Sequence, residues 1–123
     1  MNVPTDHSED APLQPFDVVV VPFPYTDRLA EKRRPAVVVS EPGLSHSYGL
    51  VWLLMVTSAD NPLWDCDVAV TDLKGAGLPA PSRVRPAKIA TADAARVVRR
   101  IGSLSAKDAR AVAGKIKELM AGY

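Results

Sequence analysis

Two adjacent guanidinium groups, Arg33 and Arg34, stand before Pro35 and the apolar run Ala36-Val37-Val38-Val39. This reads as a loop handing over to a buried strand. Pro35 fixes its own φ and pushes Arg34 into an extended conformation, so the Arg34 side chain starts from a well-defined backbone. Pro35 is thus a structural residue, and Arg34 a cation held still. Arginine contacts phosphate oxygens in a bidentate fork, and a hydroxyl at a strand end adds one more hydrogen bond. Thr57 stands at the end of the apolar stretch Leu50 to Thr57, and Arg85-Pro86 repeats the Arg34-Pro35 device. Each has a plainer alternative: a solvated turn arginine for Arg34, a strand-capping hydroxyl for Thr57, an exposed strand arginine for Arg85. Ser58 follows Thr57 and points to the opposite side if the strand continues, which makes it at best a second donor.

Other reactive types are less well placed. His46 has the right intrinsic pKa for a general base but is a lone loop histidine, and His7 lies near the start of the chain. Asp65, Cys66 and Asp67 offer too few ligands for a metal, so no metal or other cofactor is expected. Gly75-Ala76-Gly77 precedes Leu78-Pro79 rather than a helix and does not read as a phosphate loop.

The elements that must position these residues are short. A valine run from Asp17 to Val21 reads as a central strand ended by Pro22 and Pro24. Tyr25 to Lys32 follows as a polar loop, with Tyr25 available to stack on a base. Ala36 to Ser40 is the second strand, 41–49 a loop marked by Pro42, Gly43 and Gly49, and Leu50 to Thr57 the third strand. Alternation over Asp67 to Thr71 and over Arg83-Val84-Arg85, then 88–91 and 97–101, completes about six strands. Many short strands with Pro and Gly punctuation predict a mainly β domain, a small barrel or sandwich. Ser105 and Asp108 resemble a capping box opening a helix. In that helix Ala109, Val112, Ala113, Ile116, Leu119 and Met120 form the core-facing stripe, and Gly122 stops it.

With 123 residues, 47% hydrophobic and 24% charged, the chain reads as one soluble domain, residues 16–123, after a flexible tail over 1–15. That tail is acidic and proline-bearing and does not read as an export signal, and no apolar run is long enough for a membrane span. The lone Cys66 suits a reducing cytoplasm. A net charge of +1 conceals an acidic first quarter and a basic stretch after Ser82, one footprint of a polyanion partner. A solvated basic surface fits the same charges.

Five stretches, Asp17 to Thr26, Arg34 to Ser40, Leu54 to Ser58, Val84 to Lys88 and Arg100 to Ser105, occur in an order and spacing that resemble the MazF/PemK family of toxin endoribonucleases. The resemblance runs from Phe16 onward. It implies an SH3-like, CcdB-like barrel with a C-terminal helix packed on it, assembled as a homodimer. It also implies metal-independent cleavage of single-stranded mRNA to a 2′,3′-cyclic phosphate and a 5′-hydroxyl, silenced by a cognate antitoxin. Arg34 and Thr57 fall on the family's catalytic pair. Arg33, Ser58, Arg85, Lys88 and Tyr25 become RNA-binding candidates. Asp17 matches the aspartate of the family's Gly-Asp start and is read as structural, with Phe16 in place of the glycine. The chain departs from the pattern at Ala87, where PemK-like members carry an acid/base aspartate. Two alternatives therefore stay open: an attenuated member that binds RNA without cutting, and a non-enzymatic inhibitor that binds DNA gyrase as CcdB does.

Overall fold

The computed structural model describes residues 12–23 and 32–122. Residues 1–11 of the expected 1–15 tail and residues 24–31 of the Tyr25 loop lie outside the described residues, while Leu13, within that expected tail, packs against the core. Six antiparallel strands form one sheet, β1 Asp17–Phe23, β2 Lys32–Val38, β3 Leu50–Ser58, β4 Val68–Ala69, β5 Ser82–Asp93 and β6 Arg99–Ser103, in the order β4-β5-β3-β2-β1-β6. The helices are α1 Pro42–Tyr48, α2 Leu73–Ala76 and the C-terminal α3 Ala106–Leu119. The sheet curls into a half-barrel with α3 packed on it, as expected for the barrel class. Among the described residues no helix is long and apolar enough to cross a membrane.

Both sheet faces are buried, which is why β1 reads as unbroken valine. Val18, Val37, Leu54, Val56 and Val84 form one core beneath Val112 of α3 and Ala76 of α2. Val19, Val21, Ala36, Val38, Val51 and Leu53 form a second core on the other face, where Leu13, Phe23, Ala92 and Val97 pack against them.

Several elements differ from expectation. Arg33-Arg34-Pro35 belongs to β2 itself, paired with Pro22, Val21 and Val20 of β1, so the arginines are strand residues rather than loop residues. Pro22 does not end β1. Val20 accepts from Val98 at 2.8 Å, so alternation aims the backbone nitrogen of Pro22 toward the β6 side. The β6 ladder has already stopped at Val20 opposite Arg99, so a missing N–H costs nothing there. The 41–49 loop contains α1. Pro42 opens it, and Gly49, at φ 68°, closes it with its N–H on Ser45, so the supposed turn residues are caps. Helix α3 ends at Leu119, short of Gly122, and Leu119 and Met120 are about half exposed rather than in the core.

Ser105 caps α3 by accepting from the Asp108 N–H at 3.1 Å, but the carboxylate does not close a capping box. It is almost fully buried and accepts from the Thr71 N–H at 2.8 Å and the Thr71 hydroxyl at 2.9 Å, fastening the helix to the end of β4. At the C-cap of α2, a Cβ on Gly77, already at φ 74°, would collide with the Ile101 carbonyl, so glycine is required where α2 meets β6. Replacing Asp108 by Ala strands two donors of Thr71. The expected loss, about 3 kcal/mol, is checked by urea unfolding of wild type and variant; a loss below 1 kcal/mol would refute the fastening role.

Candidate functional site

The site follows from strand register. Ala36 pairs with Met55, Val37 with Leu54 and Val38 with Leu53. Continued by two residues, that antiparallel register sets Arg34 opposite Thr57 on the face of Ala36 and Leu53. On its other edge β3 pairs Met55 with Arg85 and Thr57 with Arg83. Two rows therefore cross three strands on one face: Arg34, Thr57 and Arg83, then Ala36, Met55 and Arg85. Beyond Arg85 the ladder resumes only at Ile89 opposite Leu54, so Pro86, Ala87 and Lys88 bulge out of β5 and bring Lys88 to the same place. A pocket of about 290 Å³ results, lined by Arg34, Met55, Val56, Thr57, Arg85 and Lys88.

The two arginines of β5 are largely committed. Arg83 donates to the carbonyls of Asn61 at 2.9 Å and Ala59 at 3.0 Å. Arg85 is buried and grips Asp67 through Nε at 2.9 Å and Nη2 at 2.8 Å, with a further bond from Nη2 to the Pro62 carbonyl at 2.8 Å. Its guanidinium carbon lies 3.9 Å from the centroid of the Trp64 ring. These contacts fasten the 59–67 connection to the sheet and leave Nη1 of Arg85 as the edge with no partner among the described residues. Burial would raise the Asp67 carboxyl pKa. Hydrogen bonds from Arg85 and the Trp64 N–H, with the charges of Arg85 and Arg83, outweigh burial and hold it below 3.8.

The anchored connection also orients Thr57. Asn61 donates its side-chain amide to Thr57 Oγ1 at 2.6 Å, so the hydroxyl hydrogen of Thr57 is free to donate into the pocket. The Arg34 guanidinium makes no hydrogen bond or ion pair with any described residue. The pocket thus presents one guanidinium uncommitted among the described residues, one edge of a second and a hydroxyl donor, with Lys88 in its wall and no carboxylate among its described lining residues. Such a set holds a tetrahedral or pentacoordinate oxyanion.

Of the residues singled out by sequence, Arg34, Thr57, Arg85 and Lys88 come together. Ser58 accepts from the Asp60 N–H at 3.1 Å and lies outside the lining, and Arg33 falls on the other sheet face, as the alternation of β2 requires. Arg85 is not the half-exposed strand residue that alternation predicts; Asp67 draws it inward. Tyr25 is outside the described residues. Asp17 sits at the far end of β1, buried, accepting from the Gln14 N–H at 2.9 Å and from Arg100 at 3.0 Å, while Phe16 adopts φ 72° where the family's glycine would be unstrained. Pro35 stands opposite Val20. His46 is exposed on α1, away from the pocket. Among the described residues no group of three or more His, Cys, Asp or Glu side chains is placed to hold a metal. Sequence reading missed Arg83, Asn61 and Asp67. Spacing two along β5 marks Arg83 as facing the same way as Arg85, but nothing local signals that Asp67, 18 residues away, is its partner.

The sequence profile of the family described as "PemK-like, MazF-like toxin of type II toxin-antitoxin system" matches residues 14–120. A search of curated protein sequences finds no match. Among solved structures, a MazE–MazF complex from Deinococcus radiodurans is similar at 22% identity and TM-score 0.72, over 89% of this chain and 96% of that one. The toxin MazF-mt6 of Mycobacterium tuberculosis is similar at 20% identity and TM-score 0.67, over 83% of this chain and 93% of that one. An endoribonuclease in complex with its cognate antitoxin from mycobacterial species is similar at 17% identity and TM-score 0.68, over 88% of this chain and 93% of that one.

The lowered Asp67 pKa fixes the sign of a pH effect. A depressed folded-state value means that the pair stabilises the fold in full above the ordinary value of 3.8, and that this contribution is lost as pH falls toward the lowered one. Asp67→Asn should therefore lower the urea midpoint near neutrality, with the gap to wild type closing below about pH 4. A gap that is the same at both ends of the range would show that Asp67 does not act as an ionised partner of Arg85.

Proposed function

This chain belongs to the PemK-like, MazF-like toxins of type II toxin-antitoxin systems, and on that premise we propose that it is an endoribonuclease that cleaves single-stranded mRNA at the Arg34–Thr57 pocket. MazF/PemK toxins are endoribonucleases as a family. The observation that carries the reading for this chain is the convergence of Arg34, Thr57, Arg85 and Lys88 on one pocket. In the proposed reaction the 2′-oxygen of the nucleotide attacks the adjacent phosphorus, the bond from phosphorus to the 5′-oxygen breaks, and the 5′-oxygen takes up a proton. The products are a 2′,3′-cyclic phosphate and a 5′-hydroxyl. Arg34 and Nη1 of Arg85 meet the charge that builds on the non-bridging oxygens, and the Thr57 hydroxyl donates to one of them. The requirement for a 2′-hydroxyl confines the reaction to RNA.

Ala87 lies exposed in the β5 bulge where PemK-like members carry an aspartate, so among the described residues no carboxylate lines this pocket to take the 2′-proton. Clustered cations lower the pKa of the hydroxyl itself, and solvent then takes the proton. The same feature supports a second reading, RNA binding without cleavage. In the cell the toxin would act in the cytoplasm as a homodimer held silent by a cognate antitoxin, whose acidic side chains would occupy the cationic pocket.

Wild-type protein incubated with a long unstructured RNA in EDTA should cut it at recurring short sequences, with a rate that climbs as pH rises. Arg34→Ala should cut roughly 100- to 1,000-fold more slowly, checked by mapping and quantifying new ends. Wild-type rates in Arg34→Ala would remove this pocket from the reaction. RNA that is bound by the wild type but left uncut would select the second reading.

A further inference from the structure

The reverse side of the β2 end carries a cleft that the proposed chemistry does not use. It encloses about 440 Å³, with Val20, Pro35, Leu78 and Ile101 in its floor and Arg33 and Arg99 in its wall. Arg34 lines it too, so it adjoins the Arg34–Thr57 pocket around the strand end. Register places its two new cations. Arg99 pairs with Val20, Val20 with Pro35, and Arg33 is two residues along β2 from Pro35. Paired residues share a sheet face, so Arg33 and Arg99 stand on one face. Two strand spacings across and two residues along set their Cα atoms about 12 Å apart.

Both arginines are exposed, and neither makes an ion pair or side-chain hydrogen bond with a described residue. Arg100, the adjacent β6 residue, is by contrast tied to Asp17. The cleft's described lining residues include no carboxylate. Two unneutralised guanidinium forks on either side of an apolar floor suit a ligand that alternates anionic and apolar parts. Single-stranded nucleic acid is built this way, with phosphates for the forks and sugars and base edges for the floor. A strand whose phosphate rests on Arg34 leaves that pocket alongside Arg33, which favours RNA over other polyanions.

We propose that the Arg33–Arg99 cleft is a second phosphate-binding subsite, holding the stretch of single-stranded RNA that flanks the nucleotide at Arg34. This rests on the RNA-directed reading above. It assigns Arg99, which no family motif singles out, and it gives Arg33 a place apart from the cleavage pocket.

The test is equilibrium binding of an uncleavable, 2′-O-methylated RNA of about 12 nucleotides, a length within the range one small domain spans, measured across a salt series. Wild type, Arg33→Ala, Arg99→Ala and Arg99→Lys are compared with one another and on a trinucleotide that fills only the Arg34 pocket. Each alanine should lower the slope of log K against log salt by about 0.7 on the longer RNA. Arg99→Lys should keep the slope, and the trinucleotide should show no difference among the variants. An Arg99→Ala protein with the wild-type slope, or an equal loss on the trinucleotide, would overturn the subsite while leaving the cleavage pocket standing. If Arg99→Ala weakens an acidic, apolar peptide and not RNA, the cleft serves a protein partner and the proposal is wrong. A wild type that binds neither RNA removes the RNA-directed reading, and the subsite with it.

Discussion

The antiparallel register of β3 against its two neighbours is the constraint on which the rest depends. Side chains alternate faces with a period of two, so a slip of one residue between β2 and β3 would carry Arg34 to the opposite face from Thr57. Ala36, Val38, Val51 and Leu53 are buried on that face and Val37, Leu54 and Val56 on the other, so a slip would exchange two cores at once. Hydrophobic burial therefore fixes, to the residue, where the polar groups at the strand end must stand. The site needs no separate device to align Arg34 with Thr57. It inherits that alignment from packing.

Around this frame the cations divide by task. Arg83 and Arg85 spend most of their donors on carbonyls of the 59–67 connection and on Asp67. Arg34 spends none on described residues. The committed pair rigidifies the connection, and the connection in turn supplies Asn61 to set the Thr57 hydroxyl. A site for a charged transition state gains from donors fixed before the substrate arrives, because no reorganisation is then required during the reaction. Buried between Asp67 and Trp64, Arg85 can present only one edge, whereas Arg34 is exposed and bonds no described residue.

Much of this was legible in the sequence because it rests on local rules. The valine run of β1, the prolines after both arginines and the helical stripe through Val112 follow from periodicity and backbone restriction. The pocket was legible in its members, Arg34, Thr57, Arg85 and Lys88, through ordered motifs rather than through any physical signal of their meeting. What could not be read depends on contacts between distant residues. The partner of Arg85 is Asp67, and that of Asp108 is Thr71, 37 residues away. The helix over 42–48 was hidden because Pro42 and Gly49 serve equally as turn formers and as helix caps. Arg33 and Arg34 looked like loop residues because proline is disfavoured within ladders; Pro35 is accommodated in β2 beyond the last β2–β3 pair, at Ala36.

The central claim is that a phosphodiester sits between Arg34 and Thr57. The most direct measurement is a crystal structure of the protein bound to an RNA made uncleavable by 2′-O-methylation. The account predicts one phosphate with oxygens about 3 Å from the Arg34 guanidinium and the Thr57 hydroxyl, and with Nη1 of Arg85 facing it across the pocket. RNA seated on α3 or on another surface, with the Arg34 pocket left to solvent, would contradict it.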